Sequence, residues 1–452
     1  MDKIRAWSKN KILLQINAFV EGAFFPLALG GIALLLYILN LPILTLALFG
    51  VCAVYICLFA TDTRAGLAVL MFTMITFRYK DNGGAYLSTG AIIVYAVLGL
   101  PLLFSAVYRL LFRSAEWKNK TGLIGVFLFG VAILLGGIFT KYYTGANFAQ
   151  AIGLAGSLFL SYAFFSLTMQ AREDNLLYFA RLGAIAVCMI SIELGEFYLR
   201  VYEKGTPLDW VWKDRIILGW SISNMVGEII AILLPAVFFL IYKERRGYLY
   251  WIVVAVGLIG IYFTYSRNAL LWGGLATVAY SLVNCFIGEH KKIHRIVVGS
   301  AIGLVLAVVL LLWASGYLKS LLRFFLETGF DDRTRFEVWR KHIELFQEHP
   351  AQGVGFKAFH DLTQGREHNA HNNLLQMLTS TGVIGLILYL THRVQTLYFL
   401  LKKKTVGRTF IGGCLLISIA VGIVSSITFH TYFLCYYGII LLVLEKSLET
   451  NE

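Results

Sequence analysis

Runs of about twenty apolar residues follow one another along almost the whole chain with short polar breaks between them, and each run has the length of a helix that crosses a bilayer. They fall near 17–39, 41–60, 63–78, 91–111, 122–140, 147–168, 176–197, 222–242, 248–265, 268–287, 297–316, 373–399, 409–428 and 431–445. This pattern predicts an all-α polytopic membrane protein with about 12–14 transmembrane helices. One long polar passage, 331–373, interrupts it. Four regions are therefore expected: an N-terminal transmembrane bundle (1–197), a transmembrane region with a first arginine-bearing loop (198–316), a large, partly helical extracytoplasmic loop (317–372) and C-terminal transmembrane helices (373–452).

Within the polar passage, Thr334 and Glu337 stand as a capping box, which makes Arg335 the first residue of a helix. Trp339, Ile343 and Phe346 then recur at helical spacing as an apolar stripe, with Arg335 one turn before Trp339. Pro350 ends this helix, Gly353 and Gly355 turn the chain, and it runs on to His371, Asn372 and Asn373, where hydrophobicity resumes.

Composition agrees with the pattern: 58% of the 452 residues are hydrophobic and 14% charged, with a mean hydropathy of +0.72. The apolar N-terminal region runs into further spans without a small-residue cleavage site, so no cleavable signal peptide is expected. The six cysteines lie inside apolar runs without metal-ligand spacing, and no disulfide framework is expected. Lysines and arginines collect in alternate short loops, around Lys3–Lys11, Arg109–Lys120, Lys243–Arg246, Lys291–Arg295 and Lys402–Arg408. The positive-inside bias makes that side cytoplasmic, with both termini inside. The net charge of +13 is thus mostly a topology signal, and its spread over short loops argues against nucleic acid as a partner.

The opposite side carries two loops of substance, 198–221 and 317–372, both rich in basic and aromatic residues. Their tryptophans (Trp210, Trp212, Trp220, Trp339) also suit a headgroup layer, where interfacial anchoring is their ordinary role. Arg215 stands there before Gly219 and Asn224, and Arg267 sits in a turn too short to leave a free loop. A guanidinium held at that level costs a few kcal/mol unless paired or hydrated. Glu193, Glu196 and Glu228 lie near the same level and are candidate counter-ions. Arg215, Arg267, Arg335 and His371 nevertheless converge on one side from distant parts of the chain. Forked guanidinium groups suit phosphate oxygens, so the expected ligand is a lipid diphosphate at the outer leaflet.

Five motifs in order carry a family resemblance over about residues 210–390. They are Arg215 before Gly219 and Asn224; Ser266-Arg267-x-Ala269; Arg335 with Trp339; His349-Pro350-x-x-Gly353-x-Gly355; and His371-Asn372 ahead of Leu375, Gln376, Leu378, Gly382 and Gly385. Together they resemble the O-antigen ligase and polymerase superfamily. In one departure from many members, the aromatic Trp220 follows Gly219 directly instead of one position later. The resemblance implies a bacterial inner-membrane glycosyltransferase of the C-type. It would move a glycan from an undecaprenyl diphosphate donor to an acceptor hydroxyl (glycan, lipid or protein) at the extracytoplasmic face. Carried over by motif, Arg215, Arg267 and Arg335 hold the diphosphate, His371 acts near the acceptor, and Trp339 and Asn372 support them.

The chemistry agrees with that expectation. A sugar hydroxyl is a weak nucleophile at neutral pH, and a neutral imidazole is the usual group to take its proton; His360 and His368 are neighbouring alternatives to His371. Fixed arginines stabilise a departing diphosphate. A single in-line displacement would invert the anomeric carbon. The first outer turn, Asn40-Leu41-Pro42, holds no carboxylate, and the Asp331-Asp332 doublet reads as charge at a helix start, so neither a metal nor another cofactor is expected. A transporter of lipid-linked sugar is the reading from another class, disfavoured by the lack of an internal repeat. Polymerase and ligase share the donor site. Polymerase is preferred because no loop looks like a dedicated protein-binding appendage.

Overall fold

A computed structural model describes residues 11–78, 88–113, 121–205, 216–288, 290–319, 333–358 and 369–450. Helices stand at every apolar run expected from the sequence. Among the described residues eight are long and apolar enough to span a membrane, and a ninth span results if the bent pair Lys11–Val20 and Phe24–Ile38 is counted as one. Five further apolar helices have 10–17 residues. At about 1.5 Å per residue, all of these stop short of the ~30 Å hydrocarbon core.

The first span begins at a break. Lys11–Val20 meets Phe24–Ile38 at 74°, and Asn17 ties the first piece down by donating to the Phe59 carbonyl (3.1 Å) and accepting from the Tyr55 hydroxyl (2.9 Å). Ile12, Leu14, Ile16 and Phe19 stay exposed on its other face, the arrangement of a helix lying along the membrane surface.

At the centre stands Ser223–Lys243, whose residues from Val226 to Leu240 are almost all buried. It is apolar on every side and packs against Asn175–Glu203, Trp251–Phe263, Arg267–Ile287 and Val406–Val421, as an all-round hydrophobic helix must. Thr431–Glu449 is buried in the same way. Lys291–Ala314 is its opposite, with nearly every side chain exposed from Ile296 to Trp313. All six cysteines are free thiols.

The end that carries the lysine- and arginine-rich loops is closed by the protein's own groups. Arg64 pairs with Asp174 at 2.5 Å and Arg181 with Glu244 at 2.5 Å. Arg109 donates to the Ala60 and Thr61 carbonyls, and Arg408 to those of Phe399, Lys403 and Leu444. The last three lie at or near helix C-termini, where cations are favoured.

The other end carries a two-stranded hairpin, Ile217–Leu218 with Ser221–Ile222, paired Ile217↔Ile222 and Leu218↔Ser221. There too the polar passage contributes the helix Arg333–Glu348. It begins two residues before the expected start, which places Thr334 inside its first turn instead of at the cap. The buried line also differs from the expected stripe. Val338, His342 and Leu345 face inward, Trp339 and Phe346 are half-buried, and Ile343 is 45% exposed. The inward face is set by a small core of Val338, Leu345, Val354 and Ala358 with Tyr142, which periodicity within the helix alone does not specify.

Candidate functional site

The site is built on one helix end. The last carbonyls of an α-helix lack partners within the helix, and three successive ones after Val406–Val421 are taken by side chains and backbone from two different turns. Asn268 Nδ2 donates to the Val421 carbonyl (3.0 Å), Asn373 N to that of Gly422 (2.9 Å) and Asn372 Nδ2 to that of Ile423 (3.0 Å). Arg267 precedes Asn268 and His371 precedes Asn372, so the two turns bearing these residues are anchored side by side.

Each turn is also capped from within. Ser266 Oγ accepts from Ala269 N at 3.3 Å and starts the helix Arg267–Ile287. Asn372 Oδ1 accepts from Leu375 N at 2.9 Å and starts Asn373–Lys402. Such N-caps contribute about 1 kcal/mol each. Asn268 Nδ2 lies 2.7 Å from Glu228 Oε1, and Ser425 Oγ donates to Glu228 Oε2 at 3.1 Å. Arg267 and His371 themselves are exposed. His371 adopts φ +50°, a left-handed conformation uncommon for a non-glycine residue and frequent where the surrounding structure fixes a functional turn.

Arg335 joins this group through its own helix. One turn on, Trp339 Nε1 donates to the Ala370 carbonyl at 2.6 Å, and Ala370 N donates to Gln376 Oε1 at 2.7 Å. The residue directly before His371 is thus held from both sides, and Arg335, half-buried, lies on the helix that holds it. Thr379 Oγ1 donates to the His342 carbonyl at 3.3 Å. His342 is fully buried on that helix. Burial, and then the charge of His371, holds its imidazole down to about 3; it is a neutral ring next to the exposed one.

The glycines serve as structure. Asn373–Lys402 breaks at Gly382, where φ is +67° and ψ −168°. Val383 N reaches the Pro350 carbonyl (2.9 Å), while Val354 N and Gly355 N reach those of Thr379 (3.0 Å) and Ser380 (2.8 Å). The Pro350–Gly355 segment therefore supplies partners to backbone groups on both sides of the break. No side chain fits in that contact: a Cβ on Gly382 would lie 2.2 Å from the Ala351 carbonyl oxygen, and one on Gly355 1.8 Å from Asn147 Nδ2.

The candidate counter-ions of Arg267 have their own partners. Glu193 accepts from Trp220 Nε1 at 2.8 Å, Glu196 lies 2.6 Å from Arg200, and Glu228 holds Asn268 and Ser425. Trp220 is consequently a buried hairpin residue bridging to a carboxylate, not an interfacial anchor.

Sequence reasoning did not single out Asn268, His342 or Arg78 at this end. Arg78 is buried, donates to the Tyr37 carbonyl at 3.0 Å, stacks on the Tyr37 ring, and lies directly under Gly219, whose added Cβ would come 2.5 Å from its Cα. An arginine closing the third apolar run was the signal available. Arg215, Asp331, Asp332, His360, His368, Trp210 and Trp212 lie outside the described residues. Among the described residues no group of three or more His, Cys, Asp or Glu side chains is placed to hold a metal ion.

Residues 252–390 match the model of the O-antigen ligase family. The match supports kinship with the O-antigen ligase and polymerase superfamily, and with it a glycosyltransferase-like membrane enzyme of O-antigen ligase type. It spans Arg267, Arg335, Trp339, Gly353, Gly355, His371, Asn372 and Gly382, and stops short of Arg215, Gly219 and Asn224. No curated protein matches the chain.

Proposed function

We propose that the protein transfers a glycan from an undecaprenyl diphosphate-linked donor to an acceptor hydroxyl, at the extracytoplasmic face of the bacterial cytoplasmic membrane and with both termini inside. The observation that carries this reading is the shared anchorage on the carbonyls of Val421, Gly422 and Ile423. It ties the turn that follows Arg267 and the turn that follows His371 to one helix end.

In this reading Arg267 and Arg335, with Arg215, grip the diphosphate by forked hydrogen bonds. His371 takes the proton of the acceptor hydroxyl as that oxygen bonds to the anomeric carbon. The bond from that carbon to the diphosphate oxygen breaks with its electron pair, and the arginines stabilise the developing charge. One displacement inverts the anomeric centre. Asn372 and Trp339 position the histidine turn, and neutral His342 beneath it adds no competing charge. The residues named need no metal.

The acceptor we favour is a second lipid-linked repeat, which makes the protein a polymerase. The family description, O-antigen ligase, favours a second reading, in which the finished chain passes to a lipid core or protein. Purified protein supplied with an undecaprenyl diphosphate-linked oligosaccharide as its only sugar source separates the two. A ladder of lengthened lipid-linked chains makes it a polymerase. Transfer only when another lipid or protein acceptor is added makes it a ligase. No transfer while the labelled lipid changes leaflet overturns both in favour of a transporter.

A further inference from the structure

The helix Arg333–Glu348 keeps one face out of the protein. Val338, His342 and Leu345 are buried on its inward side, and helical spacing turns Phe336, Arg340, Ile343 and Gln347 the opposite way. All four are exposed, Phe336 to 61%. Phe336 directly follows Arg335, and its ring meets that of Trp339 at 5.5 Å and 82°. Trp339 is the side chain that donates to the Ala370 carbonyl ahead of His371. The exposed ring thus adjoins the anchored histidine turn through a single indole.

An exposed aromatic on this side of a membrane protein can meet bilayer or sugar, and the rest of the face decides between them. The surface-lying helix Lys11–Val20 exposes Ile12, Leu14, Ile16 and Phe19 with no charge besides that of Lys11. On Arg333–Glu348, Arg340 separates the two apolar side chains, and exposed Glu337 and Glu344 flank them. Arg340 lies 3.7 Å from Glu344, both in the open. A helix lying in the interface needs a continuous apolar face with basic flanks, and this face has neither. A pyranose has the matching make-up, with C–H groups on its faces and hydroxyls around its edge. The C–H groups stack on the negative face of an aromatic ring, while carboxylate, guanidinium and amide groups bond the hydroxyls. From Phe336 to Gln347 the face runs about 16 Å, room for more than one sugar ring.

We propose that Phe336, with Arg340, Glu344 and Gln347, forms a sugar-binding platform that holds the glycan chain of a lipid-linked substrate beside the transfer site. Phe336 stacks on one ring, and the three polar side chains take its neighbours' hydroxyls. The platform deepens the glycan-transfer reading and rests on it for the source of the sugar.

The probe is the free oligosaccharide released by mild acid from the lipid-linked pool of the cells that make the protein. Its binding to the whole protein in neutral detergent is followed by saturation-transfer difference NMR. Phe336→Ala is expected to weaken it roughly tenfold, the worth of one covered aromatic ring, with unchanged melting temperature. Phe336→Trp should keep the affinity, and Phe336→Leu, apolar but without a ring, should not. Should Phe336→Ala fail to fold, exposed Arg340→Ala is read in its place and is expected to weaken binding several-fold. No binding to the wild type, or equal affinity in the folded variants, overturns the proposal. An effect of Phe336→Ala seen only in liposomes and rescued by Phe336→Leu assigns the face to the bilayer and overturns it too. Binding is read without turnover, so the two readings fail separately. A wild type that binds the oligosaccharide through Phe336 but transfers no glycan contradicts the transfer reading alone, and one that transfers glycan but binds equally without the ring contradicts the platform alone.

Discussion

The polar passage meets the helix Asn373–Lys402 at two places, and they are made differently. At the break around Gly382 the contact is backbone to backbone, through Pro350, Val354 and Gly355, with no room for a single added carbon. At the first turn the contact is made through side chains, Gln376 Oε1 accepting from Ala370 N and Asn372 Oδ1 from Leu375 N, and it leaves His371 exposed. The motifs of one stretch thus divide into residues that hold it in place and residues that stay exposed. Substitutions at the first place should cost folding, and those at the second should cost turnover.

The largest effect is expected at the break. Gly355→Ala drives a methyl into Asn147 and strains a φ of +88°. It should cost roughly 3 kcal/mol or more, which limited proteolysis between the helix Arg333–Glu348 and Asn373 would report together with lost transfer. His371→Ala should lower transfer roughly 10²–10⁴-fold, the usual contribution of general base catalysis, and leave melting unchanged because the ring is exposed. Arg335→Lys keeps the charge and loses the fork, so transfer should fall about 10- to 100-fold; full activity in both Arg335→Lys and Arg267→Lys would remove the diphosphate role. Trp339→Phe deletes one hydrogen bond, worth about 1 kcal/mol, and should slow transfer several-fold without unfolding the helix.

A pH dependence sharpens the comparison further. His342 has a folded value of about 3 against an ordinary 6.5, so between these values the folded protein binds fewer protons than the unfolded one. Its contribution to stability is complete above pH 6.5 and falls by about 1.4 kcal/mol per unit as the pH drops toward 3. Protection factors in Arg333–Glu348, which correct exchange for its intrinsic pH dependence, should therefore fall on acidification, and His342→Leu should flatten that response.

The apolar runs made the helices legible, because each is long and local. They said less about where a helix stops: Ala65–Thr76 ends where Phe77 becomes extended, and Val406–Val421 gives way to a turn and the short 3-10 helix Ile427–Phe429. The glycines at 353, 355 and 382 were visible as a motif, but their mutual contact was not, since backbone partners leave no trace in residue type. His371 and Asn372 were legible by their place at a hydrophobic restart. The shared anchorage on Val421–Ile423 was not, because it joins residues more than 150 positions apart. The inward turn of His342 and the outward turn of Ile343 followed from Tyr142 and Val354 across the interface.

The most direct test of the central claim measures donor binding and single-turnover transfer together in His371→Ala. Undecaprenyl diphosphate-linked oligosaccharide should bind this variant as it binds the wild type, because the arginines are intact, while transfer to the acceptor disappears. Lost donor binding with chemistry still proceeding would contradict the account and place His371 on the diphosphate instead of the acceptor hydroxyl.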